Sequence, residues 1–239
     1  MRNRTFVRGS RHLLLASLAA SGAVLAGCVD AQDAGSELIS ETEQAATVCV
    51  TLKRTGDTGV VRDALIHTSH ADATLTGGDM YAGESNGAHM HALIAFDLSS
   101  IPRDALIVSA DLSLYMGAAV PEVMRAHRVT RAWDESKVTW NLHSEAWDPE
   151  VLGTVTASAG YIYDYHTLSL TGIVQSWVSG AVPNNGVLFE QTANRTHVRT
   201  SENSLDKRPY LEVCYDSATG TGSTSTTSSS STSSTTASS

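Results

Sequence analysis

The sequence predicts an all-β fold, a jelly-roll-like antiparallel β-sandwich with one short helix. Three observations indicate this fold class. Apolar and polar residues alternate along many short runs, turn-forming residues separate these runs, and a single segment has helical spacing. The runs lie within residues 47–216, and about 170 residues are enough for one domain with a sizeable core.

Period-two alternation predicts the strands. In ALIVSADLSLYM, which begins at Ala105, one face carries Ser109, Asp111 and Ser113. The opposite, apolar face of this run is predicted to consist of Leu106, Val108, Ala110, Leu112 and Leu114. The other strand-like runs are, in chain order, TVCVTL, MHALIAFDL, VMRAHRVTRA, TLSL, GVLFEQT, HVRTSEN and YLEVCYD. Turn material such as PNNG and NSLDKRP separates them.

One segment, LTGIVQSWVSG, departs from the strand pattern. It is predicted to form a helix, with Thr171 as its N-terminal cap and Gly180 as its stop. The apolar positions at helical spacing are Ile173, Val174, Trp177 and Val178.

The two ends of the chain are predicted to lie outside the domain. Residues 1–27 are typical of an export signal, because an arginine-rich start precedes an apolar run that is too short to cross a bilayer as a helix. Residues 28–46 are acidic and polar, which predicts a tether. Residues 217–239 consist almost entirely of serine and threonine with some glycine and alanine, which predicts a disordered tail.

The end of the signal resembles the bacterial lipobox, because Leu25, Ala26 and Gly27 precede Cys28. The resemblance implies lipidation of Cys28. Since Val29 follows instead of the aspartate that retains lipoproteins in the inner membrane, it also implies the outer membrane or cell surface. The alternative is an ordinary signal peptide and a secreted protein.

The charge of the chain argues against nucleic acid as a partner. The formal net charge is −9, and removal of Arg2, Arg4, Arg8 and Arg11 with the signal leaves 12 basic residues against 25 acidic ones, or −13. Phosphate backbones require a basic footprint. An anionic polymer would likewise require a local basic patch or a bridging cation. Contact with a membrane is expected through the lipid anchor only, and the sequence leaves the oligomeric state open.

The three cysteines fit an exported protein. Lipidation of Cys28 would leave Cys49 and Cys214 to pair with each other. Each lies in a strand-like run near one end of the predicted domain, so we expect a disulfide bond between them.

The order of the segments resembles the DNRLRE domain, which is also treated as a carbohydrate-binding module family. The resemblance rests on FDLSSIPRDALIVSADLSLYM, HRVTRAWDESKVTWN, LTGIVQSWVSGAVPNNGVLFE, TSENS and RPYLEVCYD in this order. It implies a non-catalytic jelly-roll domain of exported bacterial proteins that binds polysaccharide, of the alginate type in some members. The region ADATLTGGDMYAG departs from the usual family pattern, so no binding residue is transferred from the family.

Aromatic residues in a less periodic segment are the first candidates for sugar binding. They are Trp147, Tyr161, Tyr163 and Tyr165. The alternative is a half-exposed strand that carries its tyrosines on one face.

A basic stripe is the second candidate. Alternation in MRAHRVTR places Arg125 and Arg131 on one strand face, and His197 and Arg199 share a face of another run. If the two strands are neighbours, their cations would bind uronate carboxylates. The alternative is a solvated outer face.

Two metal sites are considered. Calcium prefers hard oxygen ligands, and Asp63, Asp79 and Glu84 supply carboxylates around a glycine-rich loop, although no contiguous calcium motif is present. Separately, Gly83, His89 and His91 have the spacing of the first cupin motif, but the expected glutamate and third histidine are missing. Solvated carboxylates and surface histidines are the alternatives.

The stretch RVTRAWDESKVTWN, residues 128–141, combines Trp133 and Trp140 with the adjacent carboxylates Asp134 and Glu135. Neighbouring residues of an extended chain point to opposite faces, so these two carboxylates cannot flank one glycosidic bond. We therefore expect a structural role for the stretch, with the tryptophans in or beside the core. No nucleophile or metalloenzyme motif is found in the sequence, which favours a binding module over an enzyme and leaves a purely structural surface domain open.

Overall fold

The computed structural model describes residues 46–56 and 60–217. Within these residues eleven strands and two α-helices follow one another. The strands are β1 (Thr47–Lys53), β2 (Val61–His67), β3 (Asp79–Ser85), β4 (Ala88–Phe96), β5 (Leu106–Ala118), β6 (Val123–Val129), β7 (Trp147–Thr156), β8 (Asp164–Ser169), β9 (Val187–Glu190), β10 (Arg195–Arg199) and β11 (Tyr210–Asp216). The helices are α1 (Trp140–His143) and α2 (Thr171–Val178), and single 3₁₀ turns lie at Thr68–His70 and Ala159–Tyr161.

All named strands pair antiparallel, in the order β1-β11-β5-β10-β3-β4-β9-β6-β7, with β8 beside β5 and β2 beside β4. Because β11 and β8 both pair with residues 111–113 of β5, they lie on opposite edges of that strand. β10 pairs with β5 and also with β3. The predicted all-β sandwich is confirmed.

The main core lies on the inner faces of the strands. Ile94 of β4, Leu112 and Leu114 of β5, and Phe189 of β9 are fully buried in it. Burial of a large apolar side chain contributes about 1.5–3 kcal/mol. The main core therefore fixes which side chains of β5 face outward.

A second, smaller core covers the other side of β4. It contains Leu93 of β4, Ile66 of β2 and Leu188 of β9, and Trp133 packs on them with 6% of its surface exposed. The indole Nε1 of Trp133 donates a hydrogen bond of 2.8 Å to the carbonyl oxygen of Asn185. The predicted packing of Trp133 is confirmed.

The carboxylates of the same stretch also have structural partners. Asp134 Oδ1 accepts a 2.8 Å hydrogen bond from the Ser136 backbone and caps the turn. Glu135 Oε1 accepts a 2.8 Å hydrogen bond from the backbone N–H of Asp63 in β2. The stretch thus ties the loop that precedes α1 to the sheet.

The predicted disulfide is present. Cys49 and Cys214 are direct partners in the register of β1 with β11. The bond joins residues 165 positions apart and fastens the first described strand to the last.

The prediction for the start of β5 was wrong. Leu106 and Val108 are 64% and 52% exposed, whereas Ile107 is buried. The reason is a bulge in the pairing of β5 with β11. Cys214 pairs with Ser109, but the next residue, Tyr215, pairs with Ile107, so Val108 has no partner in β11. A bulge of this kind exchanges the two faces of the strand.

The helices differ from the prediction in two respects. Helix α1 is additional, and Thr171 does not cap α2, because the cap position is Leu170 and the Thr171 hydroxyl instead accepts a 3.0 Å hydrogen bond from the Ala110 backbone. Gly180 follows the helix with a φ of 76°, in agreement with its predicted role as a stop. Among the described residues, no helix is long and apolar enough to span a membrane.

Candidate functional site

Five tyrosines and one histidine form a continuous row on the outer face of neighbouring strands. Period-two alternation turns the members that lie in strands outward, while the residues between them enter the main core. Tyr163 immediately precedes β8. We call the row the tyrosine face, and its members are Tyr81, Tyr115, Tyr163, Tyr165, Tyr210 and His197. All six are partly exposed.

The first half of the row runs from β3 across β10. Tyr81 is the register partner of His197, and their rings stack with centroids 4.7 Å apart and an interplanar angle of 20°. The His197 ring lies 5.3 Å from that of Tyr163, whose hydroxyl forms a hydrogen bond with His197 Nδ1. Tyr163 in turn lies 6.1 Å from Tyr115 of β5.

The second half runs over β5, β8 and β11. Tyr115 and Tyr165 are register partners with ring centroids 5.2 Å apart, and Tyr165 lies 5.4 Å from Tyr210. The Tyr165 hydroxyl donates to the carbonyl oxygens of Asp206 and Arg208, at 2.9 and 3.0 Å. These contacts hold the rings in place.

Gly117 of β5 allows the row to close. A β-carbon there would lie 3.2 Å from the carbonyl oxygen of Ile162, so the backbone just before Tyr163 passes directly over the glycine. Gly117 is also the register partner of His197. The missing side chain thus leaves room for Tyr163 to reach His197.

Three cations lie over the rings. The guanidinium carbon of Arg195 is 5.0 Å from the centroid of Tyr81, that of Arg199 is 4.7 Å from Tyr163, and Lys53 Nζ is 5.3 Å from Tyr210. Such contacts are attractive because the face of an aromatic ring is electronegative. They also leave positive charge beside the rings.

The charge is unevenly distributed. Arg199 forms an ion pair with Asp79, whereas Arg195 is exposed and forms no ion pair with any residue that the structure describes. Asp111 and Glu212 are register partners elsewhere on the same face. Unpaired positive charge therefore lies at Arg195, where β3 meets β10, and at Lys53 beside Tyr210.

The ionisation of these groups follows from their surroundings. Burial lowers the pKa of His197, so its ring is neutral at neutral pH. Burial tends to raise the pKa of Asp79, but contacts with Arg199 and His197 outweigh it and hold the pKa below its usual value. His197 Nε2 lies 2.9 Å from Asp79 Oδ1, although the pair is not aligned as a hydrogen bond.

Two tyrosines of the row also have raised pKa values. Burial raises the pKa of Tyr163, and burial together with the neighbouring Tyr210 raises that of Tyr165 to about 12. Both are neutral phenols at physiological pH. A neutral phenol offers an apolar ring face and a hydroxyl group side by side.

The structure separates the predicted aromatic residues into two places. Tyr163 and Tyr165 belong to the tyrosine face, and Tyr161, 42% exposed, lies beside it in a cavity of about 480 Å³ that Arg195 also lines. Trp147 of β7 lies elsewhere. Its ring packs 4.4 Å from His127, and its Nε1 donates to the Ser144 carbonyl oxygen at 2.6 Å.

The predicted basic stripe does not form. β6, which carries Arg125, pairs with β7 and β9, whereas β10 pairs with β3 and β5. Arg125 is bound by Glu190 of β9, with 2.6 Å between Nε and Oε1, and Arg131 lies beyond the end of β6 and donates to the Leu142 carbonyl. Of the residues named for the stripe, His197 belongs to the tyrosine face and Arg199 lies over the ring of Tyr163.

The predicted calcium ligands are not brought together. Asp79 and Glu84 lie towards opposite ends of β3, while Asp63 of β2 is 3% exposed and accepts a 2.8 Å hydrogen bond from the Ser201 backbone. In residues 46–56 and 60–217 no group of three or more histidine, cysteine, aspartate or glutamate side chains is arranged to hold a metal ion. Calcium binding itself stays a prediction.

The residues of the cupin-like pattern have other roles. His91 packs against Trp140, with ring centroids 4.8 Å apart, while His89 is exposed. Burial lowers the pKa of His91 to about 4. Gly83 has a φ of 118°, and a β-carbon there would collide with the backbone oxygen of Asn194. Close contact with the turn between β9 and β10 therefore explains why residue 83 is a glycine.

Several members of the site were missed from the sequence, namely Tyr81, Tyr115, Tyr210, Lys53 and Arg195. Each stands at an outward position of an alternating pattern, and they come from five different strands. Only the pairing of distant strands unites them, so no local motif could have identified the group.

The family model for carbohydrate-binding module family 96 matches residues 49–215. No curated protein matches the chain. The matched range includes every residue of the tyrosine face.

Proposed function

Because the chain belongs to carbohydrate-binding module family 96, we propose that it binds a polysaccharide without cleaving it, and that the tyrosine face is the binding surface. The observation that carries the proposal is the unbroken row of six rings, each 4.7–6.1 Å from the next. Neighbouring rings at this spacing suit a long ligand that contacts several of them in succession.

The chemistry of the row suits sugar residues. A pyranose ring presents an apolar C–H face and a rim of hydroxyl groups. The partly exposed phenols offer apolar ring faces and polar hydroxyls in the same manner. The contacts of Tyr163 and Tyr165 with the protein fix the rings before a ligand arrives, which lowers the entropic cost of binding.

Arg195 favours an acidic polysaccharide. An exposed guanidinium without an ion pair matches the two oxygens of a uronate carboxylate. The overall negative charge opposes an anionic polymer, and the cations at the meeting of β3 and β10 supply the local compensation that such a ligand needs. This agrees with the alginate-type ligands implied by the resemblance to the DNRLRE domain.

An extracellular location accompanies this function. The Cys49–Cys214 disulfide is typical of oxidising compartments. We further propose that a lipid on Cys28 anchors the protein at the cell surface, with secretion as the alternative. Cys28 and the predicted tail lie outside the described residues.

A glycan array tests the proposal. The purified protein is applied with calcium and again with a chelator, beside the variant that combines Tyr81→Leu with Arg195→Gln. We expect binding to one class of acidic polysaccharide, and loss of that binding in the double variant. Dependence on calcium would reveal a metal site in the bound state. Absence of binding from a folded, oxidised sample would contradict the proposal and favour a structural surface domain.

A further inference from the structure

A second cavity, of about 610 Å³, lies where the loop from β4 to β5 meets the end of α2. That loop and the last turn of α2 form most of its wall, and no member of the tyrosine face lines it. Ligand sites commonly have volumes of about 300–1,000 Å³. The cavity is large enough for a sugar residue.

Trp177 lines this cavity and carries an unused hydrogen-bond donor. It lies near the end of α2, is 9% exposed, and packs with the main core. Its indole Nε1 is buried and has no hydrogen-bond acceptor among the described residues. In contrast, Nε1 of Trp133 and Nε1 of Trp147 each donate to a backbone carbonyl. A buried indole N–H without an acceptor is unusual.

Two guanidinium groups line the same cavity. Arg62 is held in place by a 3.0 Å hydrogen bond to the Trp133 carbonyl and by the Trp133 ring, 5.3 Å away, and its remaining N–H groups are not used by these contacts. Arg103 is exposed and forms neither a hydrogen bond nor an ion pair with the described residues. Asp97 is the lining carboxylate, and its Oδ1 accepts from the Ser99 backbone at 2.9 Å.

The lining therefore combines cationic donors with an aromatic side chain. The two arginines outnumber the single aspartate, so the cavity favours an anion. Guanidinium groups bind carboxylates through paired N–H bonds. The Trp177 ring, which lines the cavity, would pack against the sugar beside this carboxylate.

We propose that this cavity is a second binding site, which takes a single sugar residue carrying a carboxylate, such as a free hexuronate or the end of an acidic glycan chain. The site is separate from the extended surface of the tyrosine face. The proposal does not depend on the tyrosine face being functional, because no residue is common to the two sites.

Titration of the purified protein with glucuronate tests the proposal. The chain has four tryptophans, so its amide NMR spectrum contains four indole N–H signals, and Trp177→Phe identifies the relevant one. We expect this signal to shift with glucuronate, to stay in place with glucose, and to shift less with acetate, which carries the charge without the sugar ring.

Calorimetry of variants tests the same site. Arg103→Gln is expected to weaken glucuronate binding by about tenfold or more, as is usual for a hydrogen bond to a charged group. Lys137→Gln, which removes an exposed cation that lines neither site, is the matched control and should leave this binding unchanged. Arg103 is exposed, so its replacement reports on binding even if Trp177→Phe does not fold. Equal responses to glucuronate and glucose, or full affinity in Arg103→Gln, would overturn the proposal.

Discussion

Replacement of Asp63 by asparagine is expected to stabilise the protein most at alkaline pH. Asp63 is 3% exposed, and its Oδ2 accepts a 2.8 Å hydrogen bond from the Ser201 backbone. Burial and the nearby charge of Glu202 raise its pKa from 3.8 to about 7, against the opposing effect of the Ser201 hydrogen bonds. The folded protein therefore holds a proton on Asp63 at pH values where the unfolded chain has released it.

The sign and size of the effect follow from this difference in pKa. Because the folded-state pKa is the higher one, the contribution of Asp63 to stability is fully present below about pH 3.8 and is lost as the pH rises to about 7. The difference of about three pH units, at about 1.4 kcal/mol for each, sets an upper limit of about 4 kcal/mol. Asparagine carries no charge at any of these pH values and retains an acceptor for the Ser201 N–H.

Denaturation by urea at pH 5 and pH 8, followed by tryptophan fluorescence, measures the effect. We expect Asp63→Asn to exceed the natural protein in unfolding free energy by up to about 4 kcal/mol at pH 8 and by less than half as much at pH 5. Asp104→Asn, an exposed control, should show no such change with pH. An Asp63→Asn advantage that is equal at both pH values, or a loss of stability at pH 8, would refute the reasoning.

Two further predictions concern the frame that carries the tyrosine face. Reduction of the Cys49–Cys214 disulfide is expected to lower the unfolding free energy by about 5 kcal/mol, since the bond closes a loop of 165 residues, and an unchanged urea midpoint under reducing conditions would contradict this. Gly83→Ala should cost about 3 kcal/mol or more, because the residue has a φ of 118° and a side chain there meets the Asn194 backbone. Gly172→Ala, in open space at the start of α2, is the matched control, and equal thermal midpoints for the two variants would show that the argument is mistaken.

Much of the fold could be predicted from the sequence, because alternate residues of a strand face the core and their apolar side chains identify that face. The alternation in β5 from Ala110 to Leu114 predicts which side chains enter the core, and the structure agrees. The disulfide followed from the number of cysteines and their compartment. The bulge opposite Cys214 could not be predicted, because no glycine or proline marks it in either strand.

The candidate site was predictable only in part. Tyr163 and Tyr165 could be predicted because both stand in one less periodic segment of the sequence. Tyr81 and Arg195 become their neighbours only through the pairing of β10 with β3 and β5. Whether the strand of Arg125 lies beside β10 could not be predicted for the same reason, and the structure places β9 beside β6 instead. Strand order depends on contacts between distant segments, which alternation within one strand does not encode.

The most direct test of the central claim is the affinity of matched variants for the polysaccharide that the array identifies. Migration in native gels with and without that polysaccharide would compare the natural protein, the Tyr81→Leu and Arg195→Gln double variant, and Trp147→Ala. We predict that the polysaccharide retards the natural protein and Trp147→Ala equally and leaves the folded double variant unretarded. Retardation of the folded double variant together with unretarded migration of Trp147→Ala would place the binding surface at β7 and contradict the account.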